Sequence, residues 1–128
     1  MDSRIDPLGM LGLVKGDAKI MRNAGGRVTE DVLRTLVLAV HLLGVERILV
    51  VEHTECKMAS ATTHEVHQGI LEASGVDTRS LDFQLMDDQL LTLANDVQKV
   101  RSSPYLPVGV EVGGFLSDVR TGLLREVL

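Results

Sequence analysis

A histidine and a cysteine lie close together in the segment His53-Thr54-Glu55-Cys56. Imidazole nitrogen and thiolate sulfur are ligands that zinc prefers, and on a loop this spacing lets both side chains reach one ion. Because His-x-x-Cys is a weak motif, an ordinary loop histidine next to a partly buried cysteine remains the alternative interpretation. His53 and Cys56 are therefore candidate zinc ligands.

A second pair of functional groups lies at the start of the sequence. Asp2 and Arg4 are two residues apart, so their carboxylate and guanidinium can pair on one side of an extended segment. The alternative is a solvated pair on a frayed terminus, where an ion pair contributes little. From the residue types alone, both interpretations stay open.

A different zinc site is conceivable further along the chain. His64 and His67 form His-x-x-His shortly after Cys56. Together with His53 and Cys56 they would make a closed structural zinc site, and the chain would then be a binding or scaffold module rather than an enzyme. The alternative is two exposed histidines in the first turns of a helix.

Composition limits the function classes. The chain has 128 residues, 45% hydrophobic and 24% charged, which predicts one domain over residues 1–128. The net charge of −5 and the lack of a Lys/Arg run argue against nucleic-acid binding. The most apolar stretch, residues 36–45, is about half of what a membrane span needs. With no signal peptide and a single cysteine, we expect a cytoplasmic protein without an internal disulfide.

Apolar periodicity predicts alternating strands and helices. The predicted strands are Ala18–Met21, Arg47–Glu52, and a valine-rich strand at 108–112 that leads into a terminal hairpin around residues 120–122. Helices are predicted from Thr29 to Gly44, from Thr62 or Thr63 to Gly75, and over Asp87–Arg101.

This order is typical of an α/β fold with a mainly parallel sheet, here of about four strands with flanking helices and a C-terminal hairpin. The aliphatic run Ile48–Val51 predicts a strand covered on both faces. His53 and Cys56 follow that strand directly, at the carboxyl edge where such folds place their sites.

Taken together, these motifs resemble the β-class carbonic anhydrases. That family carries Cys-x-Asp-x-Arg, then Gly-Asp-Ala-x-x-x-Arg-Asn-Ala-Gly, then His-x-x-Cys. The matching residues here are Asp2 and Arg4, residues 16–18 and 22–25, and His53 with Cys56. The ending from Gly114 is similar to the family's terminal hairpin, and residues 59–90 look like its compact branch.

The resemblance implies a zinc enzyme that reversibly hydrates carbon dioxide to bicarbonate through a zinc-bound hydroxide. It implies His53 and Cys56 as zinc ligands. Asp2 would be the gating or fourth ligand, and Arg4 would draw Asp2 off the metal. Asn23 and Gly25 would shape the adjoining loop. The resemblance also implies a homodimer or a higher homo-oligomer. Close relatives hydrolyse carbon disulfide or carbonyl sulfide, so these substrates are an alternative.

Two departures from the family pattern bear on activity. The family's first ligand, a Cys, would stand immediately before Met1, and the strand that carries it and the N-terminal arm are missing from the given sequence. One interpretation is a true start further upstream; the other is a real truncation that leaves an inactive or degenerate zinc-binding relative. We expect poor solubility of the chain as written, because sheet edges would be exposed. The second departure is Lys57, in place of a Gly, which either tunes the site or simply faces solvent.

Overall fold

A computed structural model describes residues 1–128. Helices and strands are interspersed along the chain, which confirms the predicted α/β class. The elements are a 3-10 turn at Gly9–Leu11, a second at Ala24–Gly26, α1 (Glu30–Leu43), β1 (Arg47–His53), a third 3-10 turn at Lys57–Ala59, α2 (Thr63–Ser74), α3 (Gln89–Arg101), β2 (Glu111–Ser117) and β3 (Leu124–Glu126).

The sheet has three strands in the order β1-β2-β3. β1 and β2 are parallel and in register from Arg47 opposite Glu111 to His53 opposite Ser117. β3 runs antiparallel to β2, and the two form the predicted C-terminal hairpin. The prediction of about four strands is therefore slightly too high.

The predicted strand Ala18–Met21 is wrong. These residues are irregular, and no strand pairs with them. A short apolar segment becomes a strand only when another segment satisfies its backbone groups. β1 pairs with β2 alone, so its other edge carries no strand.

Local signals set the helix ends. Thr29 caps α1 by accepting a hydrogen bond from the Val32 N–H at 3.4 Å, and α1 ends at Gly44 in a left-handed conformation with φ of 68°. Thr62 and Glu65 form a reciprocal capping box at the start of α2. The helix predicted from Asp87 begins at Gln89, because Asp88 is its N-cap and remains outside it.

The core lies on one face of the sheet, where α3 packs against β1 and β2. Its buried members are aliphatic: Val28, Leu36, Ile48, Val50, Leu93, Val97 and Val100. The prediction that both faces of β1 are covered is wrong, since Leu49 is 40% exposed. Strand side chains alternate between faces, and Ile48, Val50 and Glu52 share the buried face of β1.

The carboxyl end of β1 meets the turn at Ala24–Gly26. Gly26 has φ of 67°, and a Cβ there would lie 2.5 Å from the Val51 carbonyl oxygen, so this close approach requires glycine. None of the helices is long and apolar enough to cross a membrane.

Residues 59–85, here called the α2 excursion, leave and rejoin the domain at one place. The Met86 N–H donates to the Met58 carbonyl at 2.9 Å and closes the base of this segment. α2 has no buried residue, whereas α3 has four. The excursion therefore lies outside the core that positions the end of β1.

Candidate active site

His53 is the last residue of β1 and is buried at the carboxyl edge of the sheet. Its Nδ1 lies 2.8 Å from the Thr54 carbonyl oxygen. A carbonyl can only accept, so Nδ1 donates this bond and Nε2 is the ring nitrogen left for a metal. The Gln89 side chain donates to the His53 carbonyl at 2.9 Å and further fixes this residue. This is the arrangement in which a histidine binds a metal through Nε2.

The Asp2 carboxylate lies beside that imidazole, with Oδ2 at 3.8 Å from His53 Nε2. Arg4 holds both carboxylate oxygens, with Nε donating to Oδ1 at 3.0 Å and Nη2 to Oδ2 at 2.7 Å. The Arg4 backbone N–H also donates to Oδ1 at 2.9 Å. The Arg4 side-chain bonds, with the backbone bond second, hold the pKa of Asp2 well below its usual range. Asp2 is therefore anionic at neutral pH.

The Asp2–Arg4 segment is tied to the domain rather than frayed. The Arg22 guanidinium donates to the carbonyls of Asp2 and Ile5. Asn23, the next residue, donates its side-chain amide to the Arg27 carbonyl at 2.8 Å and so shapes the loop that follows. These bonds bring the start of the chain to the end of β1.

Cys56 is buried and forms no disulfide. It caps the single turn Lys57–Ala59, which begins directly after the loop from His53. Cys56 and His53 therefore lie at the two ends of one short loop at the carboxyl end of β1. Lys57 is exposed to solvent.

The residues present fit zinc in donor type but do not form a closed site. His53 offers a free Nε2 and Cys56 a free thiol, while the Asp2 carboxylate is occupied by Arg4. No three His, Cys, Asp or Glu side chains converge closely enough to hold a metal ion. The chain thus supplies two unencumbered donors of the right chemistry, with Asp2 adjacent.

The alternative site with His64 and His67 is not formed. His67 Nδ1 lies 2.8 Å from the Thr78 hydroxyl, and its ring packs against Phe83 with centroids 5.3 Å apart. Both histidines belong to the α2 excursion, and they build no metal cluster with Cys56.

Sequence reasoning missed Glu52, which directly precedes His53. Its side chain is only 1% exposed, and neither carboxylate oxygen has a hydrogen-bond partner. Burial, as the main cause, raises its pKa to about 7. Alternation along β1 contained the signal, because Glu52 shares the buried face of Ile48 and Val50.

A second Arg–Asp pair was also missed. Arg27 Nε donates to Asp96 Oδ2 at 2.7 Å, and the same oxygen accepts from the Val28 N–H at 3.0 Å. This pair fastens the loop before α1 to α3. No local pattern could show it, since the partners lie 69 residues apart in sequence.

Comparisons with known proteins identify the family to which this chain belongs. Residues 1–104 match the family model described as carbonic anhydrase. β-Carbonic anhydrase 1 of Mycobacterium tuberculosis is 32% identical over 127 residues, which cover 99% of this chain and 77% of that protein. A carbon disulfide hydrolase of Acidithiobacillus thiooxidans is 33% identical over 146 residues, covering 98% of this chain and 72% of that protein.

Solved structures of carbonic anhydrases and a carbon disulfide hydrolase have the same fold as this chain. The crystal structure of carbonic anhydrase from Streptococcus mutans superposes with a TM-score of 0.93 at 39% identity, covering 100% of this chain and 77% of that one. The apo form of a carbon disulfide hydrolase superposes with a TM-score of 0.79 at 27% identity, covering 98% of this chain and 73% of that one. This chain therefore belongs to the β-carbonic anhydrase family of enzymes.

Proposed function

We propose that this protein catalyses the reversible hydration of carbon dioxide to bicarbonate with zinc as its cofactor. The observation that carries the proposal is the Asp2–Arg4 pair, whose carboxylate lies 3.8 Å from His53 Nε2. His53 and Cys56 would hold the metal. Bound zinc supplies the Lewis acidity that makes water a nucleophile near neutral pH.

Asp2 and Arg4 orient groups at this site. The lowered pKa keeps Asp2 anionic, so it accepts a hydrogen bond from a water molecule near His53. Arg4 fixes the direction of that carboxylate through two side-chain bonds and one backbone bond. In the same role, Arg4 would hold the Asp2 carboxylate off the metal.

The first test compares zinc content and carbon dioxide hydration among single variants. His53→Ala and Cys56→Ser should each bind at least about tenfold less zinc and lose hydration activity, because each removes a ligand. His64→Ala, an exposed histidine in α2, is the matched control and should behave like the wild type. Equal zinc content in His53→Ala and His64→Ala would refute the assignment.

A third ligand, which would be a second thiolate, remains a prediction. The family pattern places a Cys immediately before Met1, and the intact mass of the protein from its native cell tests for it. A mass above 13.9 kDa with that Cys would give the full ligand set. A mass matching a start at Met1 would favour the alternative, an inactive zinc-binding relative.

Hydrolysis of carbon disulfide or carbonyl sulfide is the second candidate function. It is favoured by the relative named carbon disulfide hydrolase, which is 33% identical over 146 residues. Two assays discriminate between the candidate functions. Stopped-flow measurements follow the hydration of carbon dioxide, and sulfide release follows the hydrolysis of carbon disulfide and carbonyl sulfide. Faster turnover of either sulfur substrate would replace the first proposal.

A homodimer or higher homo-oligomer belongs to the proposed function as well. The outer face of α1 supports it, since Leu38, Leu42 and Leu43 are exposed there. Analytical ultracentrifugation tests it, with a Leu42→Glu variant expected to shift the protein towards monomer. A monomer in the wild type would contradict it.

We further propose a cytoplasmic location, supported by the single unpaired cysteine.

A further inference from the structure

Glu55 adopts an unusual backbone conformation between His53 and Cys56. Its φ is 55°, in the left-handed region that non-glycine residues seldom occupy. In this conformation two acceptors of Glu55 meet Arg4. The Glu55 carbonyl accepts from Arg4 Nη2 at 3.3 Å, and Oε2 lies 3.5 Å from Arg4 Nη1. Such strain persists only where surrounding contacts maintain it.

Arg120 supplies one of those contacts. Both its Nε and its Nη2 pair with Glu55 Oε1, the carboxylate oxygen that does not face Arg4. The turn that carries Arg120 is itself ordered, because the Asp118 carboxylate accepts from the backbone N–H groups of Arg120 and Thr121 at 2.8 and 3.2 Å. Arg120 therefore reaches Glu55 from a fixed turn between β2 and β3.

The same turn is bonded to the loop at a second point. The Thr54 hydroxyl accepts from the Val119 N–H at 3.1 Å, and the Thr54 N–H donates to the Ser117 carbonyl at 2.9 Å. The charged chain thus runs from Arg120 through Glu55 to Arg4, and from Arg4 to Asp2 beside His53. Asp2 and Glu55 are the two carboxylates that Arg4 contacts.

We propose that Glu55 and Arg120 are positioning residues that hold the Arg4 guanidinium against Asp2. The side chains of Arg4, Glu55 and Arg120 are partly or largely exposed, so the ion pairs among them add little to folding stability. Their effect is on orientation. Without Glu55, Arg4 keeps one carboxylate partner and can rotate together with Asp2 away from His53. Only the catalytic consequence of this inference rests on the proposed function.

The main experiment follows the Arg4 Nε–H group by NMR in the metal-free protein. This hydrogen is bonded to Asp2 Oδ1, so its exchange with solvent reports on the pair. Glu55→Gln and Arg120→Ala should each speed the exchange by about two- to fivefold, the range expected from losing one exposed charged contact. Arg120→Lys keeps the charge and should restore part of the protection.

Arg47→Ala is the matched control, because it removes an equally exposed ion pair, the one with Glu111 at 2.8 Å. It should leave the Arg4 signal unchanged. The inference is overturned if Glu55→Gln and Arg120→Ala leave the exchange unchanged, or if Arg47→Ala alters it as much as they do.

Kinetics of the zinc-loaded protein separate this inference from the proposed function. Arg120→Ala should lower kcat for carbon dioxide hydration by about two- to fivefold and leave KM unchanged, since it alters orientation rather than substrate access. Absence of hydration in the wild type would refute the proposed function, while the Arg4 exchange measurement would still decide the positioning role.

Discussion

Two Arg–Asp pairs with nearly the same geometry occupy very different surroundings. Arg4–Asp2 and Arg27–Asp96 both have a shortest contact of 2.7 Å, and both use two guanidinium nitrogens. The side chains of Arg4 and Asp2 are 45% and 22% exposed, whereas those of Arg27 and Asp96 are 17% and 5% exposed.

The difference shows that burial, not contact distance, decides what such a pair does. The Asp96 carboxylate also accepts a backbone bond from Val28, so it joins α3 to the loop before α1. The Asp2 carboxylate accepts a backbone bond only from Arg4, two residues along the chain, and its Oδ2 lies 3.8 Å from His53 Nε2. A water-exposed pair can exchange partners at low cost, while a buried pair cannot. The exposed Arg4–Asp2 pair is therefore suited to a functional site, and the Arg27–Asp96 pair to holding two segments of the fold together.

Removing Asp96 should have the largest effect. Asp96→Ala leaves the partly buried Arg27 and the buried Val28 N–H without their partner, and we expect a loss of about 3–5 kcal/mol in the free energy of unfolding. Asp2→Ala should cost far less, because water can replace Asp2 around Arg4. Chemical denaturation of both variants at pH 7 provides the measurement, and similar losses would contradict the comparison.

Glu52, beside the buried pair, should make stability depend on pH. Its pKa is about 7 in the folded protein and 4.5 as an ordinary glutamate, so the folded state binds more protons between these values. The contribution of Glu52 to the free energy of unfolding is therefore largest below pH 4.5, and it is lost as the pH rises to about 7. The total change is about 3 kcal/mol.

Glu52→Gln isolates this effect from the other titrating groups. At pH 4 the variant should be as stable as the wild type or less stable. The difference in the free energy of unfolding, variant minus wild type, should increase by about 3 kcal/mol between pH 4 and pH 8. Denaturant titrations of both metal-free proteins across this range give the difference. A constant difference between the two proteins would show that Glu52 does not titrate with a raised pKa.

Replacing the exposed pair should change activity rather than folding. Arg4→Ala and Asp2→Asn should each lower kcat/KM for carbon dioxide hydration on the order of 100-fold, as expected on losing a group that orients a proton. The midpoint of thermal unfolding should move little. Arg34→Ala, which breaks an exposed pair with Asp31 at 2.7 Å, is the control that should remain active. Full activity in Arg4→Ala would rule out its role.

The smallest expected effect is a difference in how salt changes the coupling energy of the two Arg–Asp pairs. Raising ionic strength from about 0.01 M to about 1 M shortens the Debye length from ~30 Å to ~3 Å. In double-mutant cycles, the coupling of Arg4 with Asp2 should fall towards zero, while that of Arg27 with Asp96 should persist. Equal salt sensitivity would mean that burial does not distinguish them.

Features that depend on neighbouring residues could be predicted from the sequence. Thr29 and Gly44 mark the two ends of α1 because capping involves residues within one turn. The loop after β1 was located because an aliphatic strand directly precedes His53. The roles of Asp2 and Arg4 came from a family resemblance, and they remain predictions.

Features that depend on contacts between distant segments could not be predicted from the sequence. A strand at residues 18–21 needed a partner that this sheet does not supply. The exposure of Leu49 depends on which face of the sheet the helices cover. The contact of Arg120 with Glu55 joins residues 65 apart, so no spacing rule could indicate it.

The closed base of the α2 excursion has a consequence for chain length. Because the Met86 N–H donates to the Met58 carbonyl, the two ends of this segment lie together, and a longer segment could leave from the same base. Doubling the length of a flexible loop adds only about 0.6 kcal/mol to its closure entropy. Residues 59–85 are therefore the natural place to insert a reporter domain or an affinity tag, with the residues around His53 left undisturbed.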